Sequence, residues 1–92
     1  MRTIERQEAY AAIDSERDYQ DAMTADPSRQ DMIENLSAGD IILAMENCLS
    51  EARATWYLGS VSHYAAAHAI RKVAALGVRF MEVHGSPPRR MI

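Results

Sequence analysis

Asp14, Asp18 and Asp21, in the stretch IDSERDYQD, stand at i, i+4 and i+7. On a helix that spacing lines three carboxylates along one face. Carboxylates grouped in this way hold magnesium in all-α nucleotide-processing enzymes, where the ion stabilises developing charge and activates water. The rest of the chain does not complete such a set. Arg17 falls inside the same stretch, and the middle of the sequence offers Glu46 and Glu51 rather than a dense Glu-x-x-Glu cluster. Solvated, capping or salt-bridging acids are the favoured reading, with metal held by Asp14, Asp18, Asp21 and Glu46 as the alternative. His63, His68 and His84 are five and sixteen residues apart, so no two of them fall side by side as zinc ligands. Cys48 has no neighbouring His or Asp in sequence and reads as a structural thiol rather than a nucleophile. No metal and no cofactor are expected.

A second set of residues suits anion binding. His68, Arg71, Lys72, Arg79 and Glu82 fall along one strip at helical spacing, and Lys72 is the only lysine in the chain. Guanidinium and ammonium groups hold phosphate oxygens, and aromatic faces stack on nucleobases. Tyr10, Tyr19, Trp56, Tyr57 and Tyr64 are the large amphipathic aromatics; their ordinary use is packing at the edge of a core. The sharper reading pairs Tyr10 as a base platform with Arg71 and Lys72 as phosphate ligands. Against it, a basic strip also serves as a solvated face or as the partner of acidic neighbours, of which this chain has many.

Ninety-two residues suit one domain spanning 1–92, since a chain of this length buries one core. The composition is 48% hydrophobic with four glycines and three prolines, and its Ala, Met, Glu and Arg favour an all-α fold. The net charge of −3 is unevenly spread. Residues 1–51 hold twelve acids against four arginines, and residues 52–92 hold six basic residues against Glu82 alone. The negative total argues against general binding to duplex nucleic acid, while the asymmetry suits an acidic–basic contact or a local anion site. The single cysteine, the charged start MRTIERQEAY and the lack of a long apolar run predict a soluble protein of a reducing cytoplasm.

Three elements must position these residues. The first helix is predicted over about residues 4–23, with Thr3 as N-cap and with Asp14-Ser15 able to cap a new start. It must end by Asp26-Pro27. A polar connector over 24–36 has room for one turn around Gln30 to Glu34. Ser37 followed by Asp40 resembles a capping box and starts a helix over about 38–57. Its apolar positions Ala38, Ile42, Met45, Leu49, Ala52 and Trp56 have gaps of 4, 3, 4, 3 and 4, the seam of an antiparallel helix pair. Ser60 or Ser62 can cap a third helix over about 61–84, which Gly85 ends before Pro87-Pro88. This helix carries two apolar stripes. One is Ala67, Ile70, Ala74, Gly77 and Met81; the other is Ala69, Val73, Leu76, Phe80 and Val83. Burial on two sides and subunit association are expected, with Gly77 reading as a point of close backbone approach.

The segments ERQEAYAAIDSERDYQD, a second helix of the form S-x-G-D-x-I-L-x-M-E, and HAIRKVAALGVRFMEVHGSPPR together resemble a family of small bacteriophage proteins, the anti-CBASS cyclic-oligonucleotide sponges. The resemblance implies a short first helix with two longer antiparallel ones, assembled into a homo-hexamer in the cytoplasm of the infected bacterium. It implies a non-enzymatic function: sequestering 3′,3′-cyclic dinucleotides such as cGAMP and, at separate pockets, cyclic trinucleotides such as cyclic tri-adenylate, without cleaving them. Residue by residue, Tyr10 matches the tyrosine that stacks on dinucleotide bases, and Arg71 matches the arginine at the trinucleotide phosphates. The family pattern also places a lysine after the RDYQD stretch. This chain has none there, and Arg29 is the candidate substitute. The competing readings are a small all-α magnesium-dependent nucleotide pyrophosphohydrolase and a structural helical oligomer with no ligand.

Overall fold

The computed structural model describes residues 2–26, 28, 37–58 and 62–90. They form three helices: α1 (Arg6–Ala25), α2 (Ala38–Leu58) and α3 (Ser62–His84), with no strand among the described residues. The all-α expectation holds. None of the helices is long and apolar enough to cross a membrane.

At 20 residues α1 is nearly as long as α2 and α3, so the first helix is not short. It also runs unbroken through Asp14 and Ser15, because the Ser15 hydroxyl bonds back to the Ala12 carbonyl at 2.6 Å within the helix instead of capping a new one. The helix starts two residues later than expected. Glu5, not Thr3, is the N-cap, and its amide donates to Glu8 Oε1 at 3.5 Å. For α2 the expected capping box is present. The Asp40 amide donates to Ser37 Oγ at 3.1 Å, and the Ser37 amide to Asp40 Oδ2 at 3.2 Å. Gly85 ends α3 at φ 83°, its amide bonded to the Met81 carbonyl at 2.8 Å. The expected turn at Gln30 to Glu34 and the Ser60 cap lie outside the described residues.

Helix α3 is the middle of the molecule. It packs α2 on one side and α1 on another, while α1 and α2 make no contact of their own among the described residues. Lys72 meets Glu51, and His63 meets Trp56, so α2 and α3 are antiparallel. Ser15, Glu16 and Tyr19 face His68, Arg71 and Lys72, while Asp21, Thr24 and Ala25 face Arg79, Glu82 and Val83, so α1 runs along α3 in the same sense.

The α2 seam differs from the expected one. Ile41 is fully buried and Ala52 nearly so, while Ile42, Leu49 and Trp56 are exposed. The packed face is Ile41, Met45, Cys48, Ala52 and Thr55, which keeps Met45 and Ala52 of the expected seam and takes Ile41, Cys48 and Thr55 in place of Ile42, Leu49 and Trp56. Where Ile41, Ile42 and Leu43 follow one another, spacing defines a stripe but not which of two adjacent stripes the partner covers. Gly77 likewise marks no close backbone approach: a Cβ there would meet only Met45 Cε, at 3.7 Å.

The buried apolar set among the described residues is small, namely Ile41, Ala52, Ala69, Ala75 and Leu76. The chain exposes 7515 Å², against about 5,400 Å² for a compact folded monomer of 10.3 kDa. Ile42, Leu43, Leu49, Ile70 and Met81 are among the large side chains left 45–63% exposed.

Candidate anion-binding cleft

The basic strip of α3 is not a solvated face; much of it meets α1. Arg79 is buried, Arg71 and Lys72 are half-buried, and only His68 and Glu82 are exposed. On α1 the buried residues are Glu16, Arg17 and Gln20, all polar, so the α1–α3 contact is made by charge and hydrogen bonding more than by apolar burial. Arg17 is its lower anchor. Its guanidinium donates to Glu82 Oε1 at 2.7 Å, to Asp21 Oδ1 at 2.9 Å and to Gln20 Oε1 at 3.2 Å. The Glu82 hydrogen bond holds the Arg17 pKa above its usual value, against the opposing effect of burial.

Toward the start of α3 the two helices leave an open cleft of about 390 Å³. Ser15, Glu16 and Tyr19 line it from α1, and His68, Arg71 and Lys72 from α3. Helical periodicity explains both walls. Ser15 and Tyr19 are one turn apart with Glu16 beside them, and His68, Arg71 and Lys72 occupy i, i+3 and i+4. The Arg71 Nε donates to Glu16 Oε1 at 2.8 Å, and its Nη2 contacts His68 Nδ1. Lys72 Nζ is 3.8 Å from Glu51 Oε2 on α2, at the long end for an ion pair, and both groups reach solvent. Behind Lys72, burial first, and then Glu51 and Glu16, push the half-buried Cys48 thiol above its usual pKa, with Lys72 opposing. That favours the protonated, unreactive form.

The cleft thus combines an exposed aromatic ring, two cations, an imidazole and one buried carboxylate. Such a set binds an anion bearing a flat ring: the cations take phosphate oxygens and Tyr19 offers a stacking face. Of the sequence-predicted ligand residues, Arg71 and Lys72 are brought together here. Tyr10 is not among the cleft residues; it stands 60% exposed on the first half of α1. Arg29 lies outside the described residues. Glu16 and Tyr19 were not foreseen in this role. The available signal was the match between the acidic α1 sequence and the basic strip of α3.

The acids of the opening motif lie on another face. Asp14, Asp18 and Asp21 border a shallow cavity with Arg17, Val78 and Glu82. Glu46 borders a different one on α2, with Leu43 and Asn47. Among the described residues no three His, Cys, Asp or Glu side chains converge to hold a metal ion. The histidines are separate too: His63 stacks near Trp56 and His84 near Phe80, at centroid distances of 5.1 and 4.9 Å. No family model, curated protein or solved structure matches this chain.

Proposed function

We propose that this chain is a non-enzymatic phage sponge that sequesters cyclic oligonucleotide messengers, 3′,3′-cyclic dinucleotides or cyclic trinucleotides, inside the infected bacterium and so starves CBASS effectors of their activator. The observation that carries the reading is the cleft between α1 and α3, where Arg71 and Lys72 stand beside the exposed ring of Tyr19. A cyclic oligonucleotide presents phosphates and bases in alternation around one ring, the pairing of chemistries that this cleft offers. One cleft covers only part of such a ligand. Symmetric association, which presents the same residues two or three times around a ring-shaped ligand, meets that need. The exposed apolar side chains Ile42 and Leu49 of α2 and Ile70 of α3 support self-association, with a hexamer as the assembly the family resemblance implies.

The test is thermal shift of the purified protein with 3′,3′-cGAMP and cyclic tri-adenylate, followed by denaturation and chromatography of the released ligand. The expected result is a raised Tm with ligand recovered intact, and a loss of roughly ten- to a hundredfold in trinucleotide affinity for Arg71→Ala, the weight of a charge-assisted hydrogen bond. Tyr10→Ala should weaken dinucleotide capture. No shift with either ligand at micromolar concentration rejects the sponge. Magnesium-dependent conversion of nucleoside triphosphate to monophosphate would replace it with the pyrophosphohydrolase.

A further inference from the structure

The guanidinium best placed to hold a phosphate in the cleft already holds an anion. Arg71 Nε is bonded to Glu16 Oε1 at 2.8 Å, and the Glu16 side chain is only 8% exposed, so this carboxylate is not a passing surface partner. A phosphate gripped in the two-pronged geometry needs the Nε–Nη2 edge of Arg71, which Glu16 and His68 occupy. Two anions cannot both take Arg71 Nε, and the cleft holds no second buried cation for Glu16: Lys72 is turned toward Glu51.

Resting on the sponge reading, we propose that Glu16 is a built-in competitor for Arg71, and that a phosphate-bearing ligand enters the cleft by displacing the Glu16 carboxylate from the guanidinium. Two consequences follow from the charges. With Glu16 in place the cleft carries one net positive charge from Arg71 and Lys72, too little to attract a singly charged anion strongly. A ligand with two or three phosphates gains at Lys72, or at a neighbouring subunit's cleft, what it loses in breaking the internal pair. Glu16 therefore acts as a charge threshold, selecting cyclic oligonucleotides over inorganic phosphate and nucleoside monophosphates. Displacement also removes an ion pair between α1 and α3, while that of Arg17 with Glu82 remains. Ligand capture is thereby linked to the seating of α1.

The experiment compares wild type, Glu16→Gln and Glu82→Gln by calorimetric titration with cyclic tri-adenylate and, separately, with AMP. Glutamine keeps an acceptor for Arg71 and removes the charge. Glu16→Gln should bind cyclic tri-adenylate roughly ten- to a hundredfold more tightly, the equivalent of one charge-assisted hydrogen bond, and should gain measurable AMP binding. Glu82→Gln weakens the other α1–α3 pair away from the cleft and should leave both affinities unchanged. Equal or weaker trinucleotide binding by Glu16→Gln, with wild type binding and Arg71→Ala not, overturns the competitor while leaving the sponge intact. An equal gain in Glu82→Gln also overturns it, since loosening α1 would then be the cause. Absence of binding by wild type and Glu16→Gln alike rejects the sponge, and the competitor with it. Should Glu16→Gln fail to fold, the wild-type protein decides the matter by carboxyl carbon resonances. Glu16 must shift on saturation with cyclic tri-adenylate while Glu46, on α2 and outside the cleft, does not; an unmoved Glu16 signal overturns the displacement.

Discussion

Replacing Arg17 with methionine tests whether α1 is docked by charge. The side chain is 10% exposed and its guanidinium serves three acceptors, Glu82 and Asp21 as ion pairs and Gln20 as a hydrogen bond. Methionine preserves the buried stem and removes only the head. In a dry interior each charge-assisted bond contributes about 1.5–3 kcal/mol. Here Glu82 and Asp21 are 53% and 66% exposed, so water takes over their solvation when Arg17 is gone, and each pair shrinks toward the ~0.2–1 kcal/mol of surface bridges. Gln20 is different. It is buried, and leaving its carbonyl without a donor costs about 1 kcal/mol at the lower end for such groups. Arg17→Met should therefore destabilise by about 2 kcal/mol, and Glu82→Gln by less than about 1 kcal/mol. For a chain of this size the first value lowers the Tm by roughly 8–16 °C.

The assay is urea unfolding at fixed protein concentration, because the proposed self-association makes apparent stability concentration-dependent. A double-mutant cycle of Arg17→Met with Glu82→Gln should give a coupling of about 0.5–1 kcal/mol. Hydrogen exchange in Arg17→Met should accelerate in α1 and leave the α2–α3 pair protected. A neutral or stabilising Arg17→Met, as found where buried ion pairs are replaced by apolar residues, or exchange that accelerates equally in all three helices, would refute electrostatic docking of α1.

Gly77→Ala should stabilise by about 0.5–1 kcal/mol in urea unfolding, since the new methyl meets only the mobile end of Met45 at 3.7 Å and alanine is the better helix former; a loss would show a close neighbour at Gly77. Ile41→Ala should cost about 2–5 kcal/mol and Ile42→Ala under about 1 kcal/mol of unfolding free energy in a dissociated sample, because the first is fully buried and the second 47% exposed. Light scattering tests the proposed self-association: Ile42→Ser paired with Leu49→Ser should lower the particle mass, and an unchanged mass would remove these residues from the proposed interface.

Much of the helical architecture was legible because its signals are local. The Ser37–Asp40 box, the stop at Gly85 and the Pro27 limit on α1 each depend on residues within a few positions of one another, and each fixes a helix end within about two residues. The rotation of α2 was not legible. Ile41, Ile42 and Leu43 offer three adjacent apolar directions, and only the position of α3 decides that Ile41 goes in and Ile42 stays out. The reading of one helix over about 4–23 gave the 20-residue length of α1, but its continuity was open, since Asp14-Ser15 carries the same residue types whether Ser15 caps a new helix or bonds back to the Ala12 carbonyl within an existing one.

The site was half legible for the same reason. Arg71 and Lys72 stood out because helical spacing gathers them on one strip, and a strip is a property of one helix. Glu16 and Tyr19 complete the cleft from α1, and their meeting with Arg71 depends on α1 lying parallel to α3, which no local pattern encodes. What the sequence did contain was the charge imbalance between its halves, and the structure puts that imbalance to a specific use. The apolar residues join α2 to α3 and leave a stripe uncovered, while α1 is held on α3 by Glu16 and Arg17. A helix seated by ion pairs next to the arginine proposed to bind phosphate responds to the charge of whatever enters. A helix seated by leucines would not. The acidic motif at Asp14 to Asp21 thus has its strongest structural role through the residues interleaved with its aspartates, Glu16 and Arg17.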